Sequence, residues 1–483
     1  MAPIHKLTVA PWLFLVFALM LLAGCGGSSR PDPPAPPTPS PRSANNLNLI
    51  FVVSEDLAYQ ASGDVNPKTA NLTNQGLQRS LQMATFLKQQ VLGTKNVTGI
   101  YTLEPMTHPQ TPGQYPDMAA FETMQQFAML NQIPLSVVGE APYTANSYGL
   151  NASYGPGSVP SGVATPSPLF PCSDCQGLDF EDQEGNNEIL VNGIVKANQP
   201  GFYVFSAPWE TTSSLLAKLN ELKGYNLTLP ATYQGPNYIY AISITPSGSA
   251  SFATFNSDVT PSITYPVLPP PQLGGTPCTE QQPFKIANSG SIPAGINTNE
   301  TVYLIRHVEA HPTSSWEDGN YVAAGQWRAL DLPIALKGKI NPDQVYSIDP
   351  AQVTLSSHSY FSYVRAALTV EPYAIANNLP YNLVSNIEIL APNSPQLTSD
   401  FFFTGGQFSN HKVLVAWEHD HIPPIVNALL SSYGLAKAAP AWPDDDYDSI
   451  WTVTLDSAGN LTADNSLCEG IDSSKLPATV PQF

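Results

Sequence analysis

Apolar residues in this chain collect into short runs bounded by turn residues, and these runs alternate with stretches whose apolar positions recur at helical spacing. The clearest run, Thr301-Val-Tyr-Leu-Ile305, ends in Arg306-His307, so a cation and an imidazole are presented together where a buried strand meets solvent. From there the pattern predicts strands at 301–306, around 352–356, at 412–418 and at 449–455, with helices at 322–337, 361–377 and 422–432. Strands and helices alternating at this spacing predict an α/β sandwich with a mostly parallel sheet. Ligands of such sheets bind beyond the carboxyl ends of the strands. Three predicted strand ends bring polar groups to that edge: Arg306 with His307, Ser356 with Ser357, and Glu418 with His419.

The pattern occurs twice, which sets the architecture before any single motif does. Asn48-Leu-Ile-Phe-Val-Val53-Ser54 repeats the Arg306-His307 strand with Val53 and Ser54 at the two polar positions. Leu72 to Arg79 followed by Leu87 matches Tyr321 to Arg328 followed by Leu336, with Gly76 and Gly325 in the same register. Phe202 to Thr211, containing Trp209-Glu210, matches Val413 to His419, containing Trp417-Glu418, so that Thr211 stands where the second copy has His419. The closing strand Asn237–Ile244 with a Ser-Gly turn matches Asp448–Leu455 with an Ala-Gly turn. The expectation is therefore two tandem α/β/α sandwich domains, 47–265 and 299–470, joined by a linker at 266–298 and followed by a tail at 471–483. The first copy carries an insertion at about 140–185, rich in Gly, Ser and Pro.

Composition agrees with an exported globular chain and disfavours nucleic-acid binding. Acidic residues number 38 against 19 basic, with no basic cluster, so the positive face that a phosphate backbone requires is missing. Lys6 precedes an apolar stretch from Pro11 to Leu22, too short to span a membrane, and residues 1–24 read as a signal peptide. Its ending, Leu22-Ala-Gly-Cys25, resembles a bacterial lipobox. That resemblance implies a lipid anchor on Cys25, and Gly26 behind it implies the outer membrane of a bacterial envelope. Residues 25–46 read as a Pro-rich, semi-rigid stalk. In an oxidising compartment the four remaining cysteines are expected as disulfides, Cys172 with Cys175 in the insertion and Cys278 with Cys468 around the second copy. A redox or zinc role for Cys172 and Cys175 is the alternative.

The candidate chemistry centres on His307. A neutral imidazole attacks phosphorus well, and a covalent intermediate divides one hard hydrolysis into two easier steps. Arg306 and Arg365 offer planar donor forks for the charge on a transferring phosphoryl group, and His419 offers a further donor. Leu304-Ile-Arg306-His307-Val-Glu309, the Gly325 segment, Val364-Arg365 through Ala374, and Val413 through His419 resemble, in content and order, the histidine phosphatase superfamily, above all its phosphoglycerate-mutase-like branch. The likeness covers residues 299–456, while the first copy shares only the non-catalytic landmarks. Two residues depart from the family's pattern: Val308 and Glu418 stand where glycine is usual. The resemblance implies Glu388 as the acid that protonates the leaving group, with Asp420 as the alternative, and Glu309 as a brace of the pocket; Ser356, at its strand end, is expected to line the substrate pocket.

These readings predict a lipid-anchored phosphatase that hydrolyses phosphorylated small molecules without a cofactor or metal, its second copy armed and its first disarmed. One alternative is a non-catalytic envelope lipoprotein that binds a ligand or partner. Another is a metal site built from His307, Glu309, His311, His419 and His421, which alternate at strand spacing.

Overall fold

The structure is a computed structural model that describes residues 39–55, 63–108, 114–131, 150, 152, 177–180, 182, 185–273, 278, 282–288, 290–311, 318–351, 353–355, 360–384 and 394–483. Cys25, Cys172, Cys175, Ser356 and Glu388 fall outside these residues.

Two sheets organise the described chain. The first contains β1 (Leu47–Val53), β2 (Gly99–Thr102), β3 (Gly201–Ala207), β4 (Tyr238–Ile244) and β5 (Ala250–Asn256), in the order β2-β3-β1-β4-β5. The second contains β6 (Lys285–Ala287), β7 (Glu300–Arg306), β8 (Gln344–Ile348), β9 (Tyr381–Val384), β10 (Lys412–Trp417), β11 (Ser449–Leu455) and β12 (Leu461–Cys468), in the order β9-β8-β10-β7-β11-β12-β6. Its stretch β8-β10-β7-β11-β12 repeats the first sheet strand for strand, parallel in its first two pairings and antiparallel in its last two.

The sheets are thus mixed, not mostly parallel. Hairpins close each one, because the turns at Ser247-Gly248 and Ala458-Gly459 fold the chain straight back and leave no length for a crossover helix. A further correction concerns residues 353–355, which pair with 360–362 in a separate two-stranded ribbon, so the helix expected from 361 begins at Arg365. The strand that enters the main sheet is β8, whose Gln, Tyr and Ser interrupt the apolar run by which strands are recognised. Trp209-Glu210 also differs from expectation. β3 stops at Ala207, and Trp209 opens a helix, so register aligns Ala207 with Trp417 and removes Thr211 as the counterpart of His419.

Helices cover both faces of each sheet. Alternate residues of β1 face opposite sides. Leu47, Leu49, Phe51 and Val53 pack with α3 (Asn186–Ala197) and α4 (Trp209–Lys223), whereas Ile50 and Val52 pack towards α1 (Asn74–Phe86) and α2 (Ala119–Met129). In the second sheet Val302 and Leu304 face α7 (Ser394–Phe403) and α8 (Ile422–Ser432), while Tyr303 and Ile305 face α5 (Ala323–Ala335) and α6 (Arg365–Asn377). Helices α1 and α2 meet α5 and α6, so one apolar core runs from Ile50 through Phe121 and Leu368 to Ile305. The final segment joins this contact: Trp327 Nε1 donates to Thr479 O (2.7 Å), and Gln126 Nε2 donates to Pro481 O (2.7 Å).

The Gly and Arg of the repeat have a common physical cause. The N–H of Thr73, just before α1, donates to Asp64 O (2.9 Å), and that of Val322, just before α5, donates to Glu309 O (3.0 Å). A Cβ on Gly76 would lie 2.3 Å from Asp64 O and one on Gly325 would lie 2.7 Å from Glu309 O, so only glycine lets each helix sit this close. The arginine three residues later reaches back to the same acidic residue, Arg79 Nε to Asp64 at 2.6 Å and Arg328 Nη2 to Glu309 at 2.7 Å.

Two predictions follow from this packing. Cys278 and Cys468 are disulfide-bonded across a sequence separation of 190 residues, as expected, and tie the strap before β6 to the end of β12. Replacing both by Ser should cost roughly 2–4 kcal/mol in denaturant unfolding under non-reducing conditions; an unchanged midpoint would show the bond to be dispensable. Glu122 of α2 and Glu371 of α6 are buried at the helix contact, and neither oxygen of Glu371 has a hydrogen-bond partner among the described residues. Burial pushes Glu122 up to about 8 and Glu371 well above the ordinary range, the latter helped by Glu122 and Asp117. Raised carboxyl pKa values stabilise the fold below about pH 4.5, and this stability is lost as pH rises to about 8. Unfolding free energy should therefore fall by roughly 3–5 kcal/mol between about pH 5 and 8, and Glu122→Gln should flatten that slope.

Candidate active site

The site is set by the pairing of β7 with β10. These parallel strands end level, Arg306 opposite Trp417, and His307 N donates to Trp417 O at 2.8 Å. The next residue on each strand therefore emerges beside its neighbour, and these residues are His307 and Glu418. His307 Nε2 lies 3.9 Å from Glu418 Oε1.

The imidazole is oriented from its other nitrogen. His307 Nδ1 donates to Val308 O at 2.7 Å, and because a carbonyl only accepts, the proton resides on Nδ1 and Nε2 presents its lone pair. The ring is buried, with Tyr363 and Tyr447 centred 6.4 and 6.2 Å from it. Burial, then Arg365 and Arg306, drive the His307 pKa well below the usual imidazole range. The Val308 side chain is buried in the core, where its Cγ2 would sit 2.8 Å from a Cβ on Gly325.

Arg306 is buried and firmly held. Its Nη1 donates to the carbonyls of Asp444 and Asp446, its Nη2 donates to Tyr447 Oη at 3.3 Å, and its Cζ lies 3.9 Å from the centre of the Tyr447 ring. Arg365 opens α6, its backbone N–H donating to Gly319 O and its Cζ standing 4.6 Å from the centre of the Tyr363 ring. Both guanidinium groups act on His307.

Glu418 is gripped from several sides. Tyr363 Oη donates to its Oε1 at 2.5 Å, and His421 Nδ1 lies 3.2 Å from its Oε2. Burial alone would raise this carboxyl, but His421, His307, Arg365 and Tyr363 together hold it below the ordinary carboxylate range. His419, the expected second donor, stands one residue further along. Its Nε2 lies 3.3 Å from Asp444 Oδ1 and 3.7 Å from Asp420 Oδ1, and burial followed by Arg306 lowers its pKa. Asp420 is exposed beside it.

The remaining expected residues are dispersed. Glu309 accepts from Arg328 through both carboxylate oxygens and from Ser473 Oγ (2.8 Å), which makes it a brace between α5 and the C-terminal segment. Arg328 also donates to Glu469 Oε2 (2.7 Å), the residue after the disulfide. His311 Nε2 pairs with Asp318 at 3.2 Å. The five histidine and glutamate positions of the metal reading are thus drawn to different partners: His307 and His421 to Glu418, His419 to Asp444 and Asp420, Glu309 to Arg328, and His311 to Asp318. Among the described residues, the one cluster of three ligand-type side chains is Cys278, Asp448 and Cys468, and its sulfurs are bonded to each other. Glu388 and Ser356 lie outside the described residues. Reasoning from sequence brought Glu418 to the same edge as His307 but gave the facing role to His419, and it missed Tyr363 and Tyr447 as groups around His307. Counting equal steps past two parallel strand ends would have found Glu418.

No described protein family matches the chain, and no curated protein matches it. Solved structures similar to part of it are of histidine-phosphatase type. A phosphoglycerate mutase from Plasmodium falciparum shares 13% identity, with 36% of this chain and 94% of that one covered at a TM-score of 0.23. A SixA-type phosphohistidine phosphatase from Agrobacterium tumefaciens shares 17%, with 34% and 93% covered at 0.22. A phosphoserine phosphatase from Entamoeba histolytica, solved with 3-phosphoglyceric acid, shares 16%, with 36% and 100% covered at 0.24.

Arg328 offers a test of the frame behind His307. Removing its charge leaves Glu309 and Glu469 buried without their cation, a situation that typically costs 3–5 kcal/mol. Arg328→Met should lower unfolding free energy in urea by about that amount. A loss below about 1 kcal/mol would mean that water or protonation replaces the arginine.

Proposed function

We propose that this chain is a phosphomonoesterase that works through a phosphohistidine on His307. The observation that carries the reading is the imidazole itself: Nδ1–H is committed to Val308 O, Nε2 presents a lone pair, and two buried arginines flank the ring. A cation-lined pocket around a neutral nucleophile suits phosphoryl transfer, in which catalysis rests on positioning and on neutralising charge. In the first step Nε2 bonds to phosphorus while the bond from phosphorus to the ester oxygen breaks, and the leaving alcohol takes a proton from an acid. Asp420 or Glu388 is proposed for that role. In the second step water attacks the phosphohistidine, the same carboxylate takes a proton from it, and phosphate leaves with His307 restored.

The first sheet is proposed to be a disarmed duplicate. Its identical strand order, the matching Asp64-Gly76-Arg79 and Glu309-Gly325-Arg328 contacts, and Ser54 at the position of His307 support that reading. Export and lipid attachment at Cys25, with residence at the outer membrane, are proposed from the signal-like N-terminus. The second reading, a non-catalytic lipoprotein that retains the pocket for binding, is favoured by Glu418, whose negative charge beside Nε2 opposes a doubly charged phosphoryl group.

Hydrolysis of an aryl phosphate by the chain from about residue 45 separates these readings. Turnover that persists with a chelator is expected. His307→Ala should abolish it, and Arg365→Ala should reduce kcat/KM by at least about 100-fold, the scale of a lost charged contact in the transition state. Ser54→Ala and Thr211→Ala should leave it unchanged. A folded chain without turnover at any pH would favour the binding lipoprotein.

A further inference from the structure

Glu418 gives the pocket an unusual charge balance. Arg306 and Arg365 contribute two positive charges and Glu418 one negative, so the groups around a neutral His307 sum to a single positive charge. One positive charge matches a phosphoryl group that still carries one proton. It leaves the fully ionised form in excess by one charge.

Geometry sharpens the point. A phosphorus atom poised for attack stands about 3–3.5 Å from Nε2, and Glu418 Oε1 is 3.9 Å from the same nitrogen. For a phosphoryl group approaching Nε2 on the Glu418 side, one non-bridging oxygen comes within hydrogen-bonding range of Oε1. Two anionic oxygens in that contact repel, whereas a P–OH donates to the carboxylate. The carboxylate cannot easily swing away, because Tyr363 Oη holds Oε1 and His421 stands against Oε2. The groups facing Glu418 are His307 from the end of β7, Tyr363 and Arg365 from the start of α6, and His421 from the start of α8.

We propose that Glu418 makes the site selective for the singly protonated, monoanionic form of a phosphomonoester, accepting a hydrogen bond from its P–OH. The phosphoryl proton stays on oxygen throughout transfer to Nε2, so the covalent steps and their balance are those given above: the alcohol leaves first, and the phosphate set free by water in the second step departs as dihydrogen phosphate. The depressed His307 pKa fits this role. It keeps the nucleophile unprotonated in the acidic range where the monoanion predominates.

The inference rests on the proposed phosphatase reading, and the experiment separates the failure of one from the failure of the other. Turnover of phosphoserine, whose second pKa is about 6, would be followed from about pH 5 to about pH 8 in the wild type, Glu418→Gln and Glu418→His, each checked by circular dichroism. Wild-type kcat/KM should approach a tenfold fall per pH unit above that pKa, thus about 50-fold from pH 6, where half the substrate is monoanion, to pH 8. The fall should shrink to less than about threefold in Glu418→Gln. A wild-type kcat/KM that stays level to pH 8, or an unchanged fall in both folded variants, would overturn the proposal. If no phosphoester is turned over, the phosphatase reading fails, and calorimetric titration with inorganic phosphate still tests Glu418. Wild-type affinity should then drop between about pH 5 and 8, by at least about tenfold more than that of Glu418→Gln. Equal pH dependence in the two, or no phosphate binding by either, would overturn it.

Discussion

Two parallel strands that end level with each other decide what this site contains. Because β7 and β10 pair with Arg306 opposite Trp417, the chain must deliver His307 and Glu418 side by side. The remaining features of the site adjust to that fact. Tyr363 and His421 hold the carboxylate, Val308 O fixes the imidazole tautomer, and the segment from Asp444 to Tyr447 closes around Arg306. A shift of one residue in this pairing would place another side chain beside His307, and that is why backbone hydrogen bonds govern which groups meet here.

Behind the site stands a buried set of charges that links distant parts of the chain. Arg328 joins Glu309, two residues past His307, to Glu469, the residue after the disulfide. A buried arginine tolerates this position only because carboxylates and a carbonyl satisfy its donors. The first half uses the same device, with Arg79 reaching Asp64 and Asn237. The geometry that sets a helix against a sheet is therefore present in both halves, while Arg306 and His307 occur in one. Scaffold and candidate site are separable here, as in other folds that host sites on a common frame.

Much of the frame was legible in the sequence because it depends on local chemistry. The run ending in Arg306-His307, the helices α5, α6 and α8, and the Gly76/Gly325 and Arg79/Arg328 pairs each leave a periodic or short-range signature. The disulfide between Cys278 and Cys468 was legible too, since the two residues bracket the second half. Strand β8 was not, because a central strand is defined by its two neighbours, and its alternating polar residues resemble a loop until those neighbours are in place.

The sequence by itself determined the strands β7, β10 and β11 and the helices α5, α6 and α8, where the nucleophile candidate lies, and which glycines and arginines clamp helix to strand. Those outcomes follow from side-chain periodicity and from contacts a short way along the chain. Tertiary structure alone decided that Glu418 and not His419 stands against His307, that Glu309 belongs to Arg328, and that the two halves share a core through α1, α2, α5 and α6. Each of these depends on strand register or helix contact between residues far apart in sequence. Register is set by hydrogen bonds between backbones, which carry no trace of which side chain they will bring together.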